Sequence, residues 1–147
     1  MNSTLTTLLA GLLAAEMAFL ADRAFLSGLE ERARTSPGGP AVRPGAVLVS
    51  VVPAVEEAAK NLAAMLSGAD LFGTHVIFGL AEAGFEAAVG EWRGLVAGLF
   101  SLLGHALFGA ATNAALASTG SPFLATGAGV GLHIAWNALA LRWGRQG

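Results

Sequence analysis

The chain has 147 residues, of which 54% are hydrophobic and only 12% charged, with a formal net charge of −2 and a mean hydropathy of +0.64. Soluble domains carry about 25% charged residues, so this composition points to a membrane protein of single-domain length. With no cysteine there is no disulfide, no thiol nucleophile and no thiolate metal ligand, and the scattered basic residues leave no nucleic-acid footprint.

A helix needs about 20 predominantly apolar residues to cross a bilayer core. Stretches of that kind run over Leu5–Phe25, Ala46–Leu66, Leu71–Val89, Gly94–Ala117 and Pro122–Leu141. The expectation is an all-α, polytopic bundle of about five transmembrane helices in the cell membrane. It forms one domain over 1–147: a first helix plus cytoplasmic loop (1–43) and a four-helix core (44–143). The first stretch lacks the basic n-region of a cleaved signal peptide and reads as a helix. Its Glu16 is expected to pair with His75 or Lys60, or to reach the interface. "SGLEERARTSPGGPAVRPG" follows, polar and rich in Gly and Pro, and reads as a surface loop. "SGAD", "GEWR" and "STGS" are so short that successive helices must be antiparallel. Arg23, Arg32, Arg34, Arg43, Arg93, Arg142 and Arg145 all fall on one side of such a bundle. The positive-inside rule then sets the N-terminus out and the C-terminus in, with Trp92 and Trp143 at the inner interface.

The second helix, "VVPAVEEAAKNLAAML", places Glu56, Glu57 and Lys60 at mid-depth, where each charge costs about 2.5–3.5 kcal/mol. Glu56 and Lys60, four apart, are expected to pair, which leaves Glu57 on a neighbouring face. Pro53 removes an N–H and is expected to bend the helix just before them. The third helix has Glu82 and Glu86 four apart in "FGLAEAGFEAA", and His75 near its outer end, which reads as interfacial. His105 sits in the fourth within "SLLGHALFGAATN", and "GLHIAWNAL" sets His133 and Asn137 on one face of the fifth. Gly90, Gly94 and Gly98, and Gly127 with Gly131, give small-residue faces expected to pack within the chain. A single buried histidine or asparagine in such a bundle usually bonds a neighbouring helix. Carboxylates, imidazoles and an amide from four helices at one level read as a functional site.

Adjacent carboxylates in a low dielectric do not readily both ionise, which suits one of them to act as a general base toward water. Lys60 offsets their charge, and an imidazole and an amide can steady the oxyanion formed when water attacks a carbonyl. There is no Cys or Tyr, and Ser50 and Ser101 have no evident triad, so activated water is the attacking species. Glu56, Glu57, His105 and His133 are also legitimate zinc ligands, although no HExxH is present. A non-catalytic cluster that binds a cation or relays protons is a third reading, less attractive without a visible inverted repeat.

"PAVEEAAK" (Pro53–Lys60), "FGLAE" (Phe78–Glu82), His105 and "HIAWN" (His133–Asn137) resemble, in order and one per helix, motifs of the PrsW family of bacterial membrane proteases. That family lies within the superfamily of type II CAAX prenyl endopeptidases and bacteriocin-processing membrane proteins. The resemblance spans about residues 44–143. It implies that Glu56 and Glu57 activate the hydrolytic water, and that His133 and Asn137 support the base or form the oxyanion hole. Glu82 stands where the PrsW branch has a glutamate and the CAAX branch a histidine, and His105 matches the PrsW histidine. Lys60 takes the basic position of the first motif, where the CAAX branch keeps an arginine one residue further on. Family members are usually longer, so a partner or homodimer is expected to complete the shielding of the site. The implied substrate is a membrane-anchored protein, with no cofactor on the glutamate reading and zinc on the alternative.

Overall fold

A computed structural model describes residues 3–35 and 44–144. They form five helices and, among the described residues, no strand: α1 (Ser3–Thr35), α2 (Pro44–Ser67), α3 (Leu71–Val89), α4 (Glu91–Thr119) and α5 (Pro122–Gly144). The main departure from expectation is α1. It continues past Phe25 through "LSGLEERART", half of what reads as loop, because Leu, Glu and Arg are good helix formers and Arg32 and Arg34 complement the dipole of the last turn. Residues 36–43, with Arg43, and Arg145 lie outside the described residues, as does the side chain of Trp143. Pro53 is fully buried inside an uninterrupted α2.

Short joints hold the helices antiparallel. Asp70 caps α3 by accepting from the Gly73 N–H at 2.5 Å, and Gly120, at φ 64°, ends α4 in the left-handed region that glycine adopts without penalty. Gly90 alone joins α3 to α4, and α4 opens on Glu91 at φ 50°. The hairpin closes tightly because Gly94 and Gly98 meet the backbone of α3; a Cβ on Gly98 would lie 2.8 Å from the Ala83 carbonyl oxygen. Gly127 and Gly131 do not pack within the chain, contrary to expectation: both are exposed, and a Cβ added at either would meet nothing within 4 Å.

Helices α2, α3, α4 and α5 form a ring, each packed on the next and α5 closing back on α2. Outside the ring, α1 covers α2 and α3 through a seam in which Ala14, Ala18 and Ala59 pack with Phe78. The radial distribution of side chains is inverted relative to a soluble protein. Lys60, His75, His105, Glu57, Thr74 and Thr112 are among the largest fully buried side chains, whereas Leu9, Leu13, Leu20, Phe85, Leu99, Leu107 and Phe123 point outward. Among the described residues, three helices are long and apolar enough to cross a membrane: Ser3–Arg32, Glu91–Thr119 and Pro122–Arg142. The expected five is therefore three by this measure. The two that fall short, α2 and α3, carry the carboxylates Glu56, Glu57 and Glu82 and the Lys60 ammonium of the ring interior, while α4 and α5 bring the imidazoles His105 and His133.

Candidate active site inside the helical ring

The cluster is organised around the Lys60 ammonium. Its Nζ lies 2.6 Å from Glu57 Oε1 and 3.7 Å from Glu56 Oε2. The expected Glu56–Lys60 ion pair at i,i+4 is present, but the closer, hydrogen-bonded contact is Glu57–Lys60 at i,i+3. The same ammonium is 2.9 Å from His105 Nδ1 and 4.2 Å above the centre of the Phe78 ring, so a fully buried cation is satisfied on several sides.

These contacts assign the imidazole protons. An ammonium only donates, so His105 Nδ1 accepts from Lys60 and Nε2 carries the hydrogen. That N–H donates to Glu82 Oε2 at 2.6 Å, where the Ser101 hydroxyl also donates at 2.5 Å. His105 fits between α3 and α4 because Gly79 faces it; a Cβ there would stand 2.9 Å from the His105 Cβ. His133 Nδ1 lies 3.1 Å from Glu57 Oε1 and donates to it, while its ring stacks on Phe108 at 4.3 Å between centroids. Glu57 is thus committed to Lys60 and His133. Among the described residues Glu56 Oε2 has no hydrogen-bond partner, yet Lys60 Nζ, His133 Nδ1 and His105 Nε2 surround it at 3.7, 3.8 and 3.9 Å.

Beside Glu56 lies a cavity of about 400 Å³. Glu56, Glu82, Ser101, His105, His133 and Asn137 supply its polar lining, with Val49, Val52, Trp136 and Leu141 as apolar wall. Glu57 does not line it. Of the residues singled out in the sequence, Glu56, Glu57, Lys60, Glu82, His105 and His133 come together through side-chain contacts, and Asn137 joins them in the cavity wall. Glu86, one turn beyond Glu82, takes no part in these contacts.

One expectation is corrected and another narrowed. His75 is not interfacial: it is fully buried, 3.6 Å from Glu57 Oε2 and bonded to Asn61 at 3.1 Å. Glu16 is exposed on α1 and pairs with neither His75 nor Lys60, whose partners lie inside the ring. The structure adds Asn61, Ser101, Thr112 and half-buried Asp22 to the residues that the sequence motifs single out. A signal exists for most of them: His75 precedes Glu82 by two helical turns on one face, and Ser101 and Thr112 share the face of His105. Asp22 brings a further carboxylate from α1, electrostatically coupled to Glu82 and Glu56.

Glu56, His105 and His133 each offer one ligand atom, all within 4.8 Å of one another, so a metal set of three is conceivable and Glu57 falls outside it. Zinc bonds of about 2.0–2.1 Å in a tetrahedron set ligands roughly 3.3–3.4 Å apart. The Glu56 pairs, at 3.8 and 3.9 Å, would have to close slightly. His105 would also have to release Glu82 or Lys60, since both its nitrogens are engaged. Comparison with known protein families, characterised proteins and solved structures finds no match.

Proposed function

We propose that the protein is a multi-pass membrane endopeptidase that hydrolyses peptide bonds of membrane-tethered proteins with water activated by Glu56. One observation carries this reading: of two adjacent buried glutamates, Glu57 is held by Lys60 and His133 away from the cavity, whereas Glu56 lines it and has an oxygen, Oε2, that makes no hydrogen bond among the described residues. An occupied carboxylate makes a scaffold; an unoccupied one beside a cavity makes a base.

In this mechanism Glu56 takes a proton from a cavity water as its oxygen attacks the scissile carbonyl carbon. The Asn137 amide, which donates without first gaining a proton, faces the developing oxyanion. Glu56 then returns the proton to the departing amine as the carbon–nitrogen bond breaks. Glu57 and Lys60 hold His133 and His105, and Glu82 with Ser101 fixes the far side of His105. The inverted distribution of side chains supports embedding of all five helices, with α2 and α3 turning their ionisable faces inward and apolar side chains such as Leu62, Leu80 and Phe85 outward. The apolar cavity wall comes from the start of α2 (Val49, Val52) and the end of α5 (Leu141), which the arginine bias puts on the cytoplasmic side. Substrate therefore enters from the inner half of the membrane.

The test compares wild type with Glu56→Gln in vesicles carrying a single-span reporter substrate. Glu56→Gln should keep the thermal stability of wild type and lose cleavage by at least about 10²-fold, the scale of removing one transition-state contact. Undiminished cleavage by Glu56→Gln overturns the glutamate mechanism. A zinc-dependent reading of the same residues draws on the clustering of Glu56, His105 and His133. It predicts about one zinc per chain, lost in His105→Ala, and activity abolished by chelators.

A further inference from the structure

A second group of polar side chains meets Glu57 on the side away from Lys60, and its chemistry can be worked out from the α5 backbone inward. The Thr126 hydroxyl donates to the Pro122 carbonyl at 2.9 Å. Its single hydrogen is then used, so at 2.9 Å Thr126 Oγ1 must accept from the Asn61 amide Nδ2. That fixes which way the amide points, and Asn61 Oδ1 faces His75 Nε2 at 3.1 Å. An amide oxygen only accepts, so Nε2 carries the imidazole hydrogen and Nδ1 presents a lone pair.

That lone pair faces another acceptor. His75 Nδ1 is 3.6 Å from Glu57 Oε2, too far for a hydrogen bond, and both atoms are buried without a partner. Thr112 Oγ1 is the third such atom at this place. A Cβ on Gly129 would fall 2.5 Å from Thr112 Oγ1 and 2.7 Å from Glu57 Oε2, so both oxygens flank the bare backbone of α5. Buried polar atoms without partners are rare because each costs the full desolvation of that group. Direct pairing through an imidazolium is the competing solution, but Glu57 already has the Lys60 ammonium at 2.6 Å.

We propose that Glu57 Oε2, His75 Nδ1 and Thr112 Oγ1 form a binding site for one buried water molecule, floored by Gly129. The water donates one hydrogen to Glu57 and one to His75 and accepts the third bond from the Thr112 hydroxyl. Three bonds are the usual complement of a buried water. Glu57 is thereby anchored at both oxygens, one on Lys60 and His133 and the other on this water. The site stands independently of whether the neighbouring cavity hydrolyses peptides.

Nitrogen NMR of the full chain, labelled at histidine and reconstituted in lipid nanodiscs, tests it, with His75 assigned by the signals missing from His75→Gln. Expected at neutral pH is an Nε2–H tautomer with an Nδ1 signal typical of a hydrogen-bond acceptor. Cross-peaks should also connect a long-lived water to the Thr112 methyl and the His75 ring. Gly129→Ala should erase those cross-peaks. If that variant does not fold, Thr112→Val, which keeps the shape and removes the donor, should still shift His75 Nδ1. An Nδ1–H tautomer, an imidazolium, or no long-lived water in wild type overturns the proposal.

Discussion

Glu56 and Glu57 are adjacent and chemically identical, yet their surroundings divide the work between them. Glu57 is fully buried against Lys60 and His133, so removing its charge takes away the nearest counter-charge of a buried ammonium and leaves only Glu56, at 3.7 Å, to balance it. Breaking one side of a buried pair costs about 3–5 kcal/mol, whereas removing both sides costs far less. Glu57→Gln and Lys60→Met should each lower the melting temperature sharply, and the double variant should recover most of the loss. Glu56→Gln should not destabilise, because no hydrogen bond of Glu56 Oε2 is lost. Equal melting of all three single variants would contradict this division. Asn137→Ala should reduce turnover by about 10²–10³ with little change in stability, read as initial rates on the reporter. The sequence displays both glutamates but not their division of labour. A helical wheel separates adjacent residues by about 100°, and only the positions of His133, His105 and the cavity decide which face is committed.

Among the elements, the α3–α4 hairpin sets the spacing of the site. Gly79 and Gly109 admit His105 and His75 between the helices; a Cβ on Gly109 would stand 2.7 Å from the His75 Cβ. Farther along, Gly98 lies against the Ala83 carbonyl. Overpacking of this kind costs typically about 1–3 kcal/mol. Gly98→Ala should therefore lower thermal stability, whereas Gly131→Ala, with open space at the same position, should keep or slightly raise it, since alanine is the better helix former. Similar melting curves for the two variants would contradict the hairpin packing. Both glycine series repeat every four residues, so the sequence announces small faces without saying what meets them. His75 is hard to place from sequence for a related reason. Nearness to the helix end suggests an interface, but its register with Glu82 along α3 turns it inward. Asn61 completes its surroundings from α2.

For the whole molecule, the order and number of helices are legible in the sequence, because hydropathy and short joints leave little choice. Helix ends are less so: nothing in "LSGLEERART" breaks a helix, and α1 runs on to Thr35. The arginine bias predicts the N-terminus out and the C-terminus in, which would set Thr35 on the cytoplasmic side and Thr119 on the outer side; both are exposed. On this cysteine-free chain, Thr119→Cys should react with an impermeant thiol reagent applied to intact cells, and Thr35→Cys only after permeabilisation. The reverse pattern would invert the topology and move the cavity entrance to the outer half.

The enclosure of ionisable groups by α4 and α5 has a consequence for biogenesis. When α2 leaves the ribosome, Glu56, Glu57 and Lys60 have no imidazoles to meet, since His105 and His133 are still to be translated. A nascent α2 has no reason to settle in lipid alone, and its commitment must await the helices that follow. Because α1 can anchor such a chain by itself, the readout is α2. Ala58→Cys should react with a water-soluble thiol reagent in chains truncated after residue 67 and be protected in chains carrying the sequence through residue 144. Insertion and assembly of the site become one event, with the last helix acting as the latch.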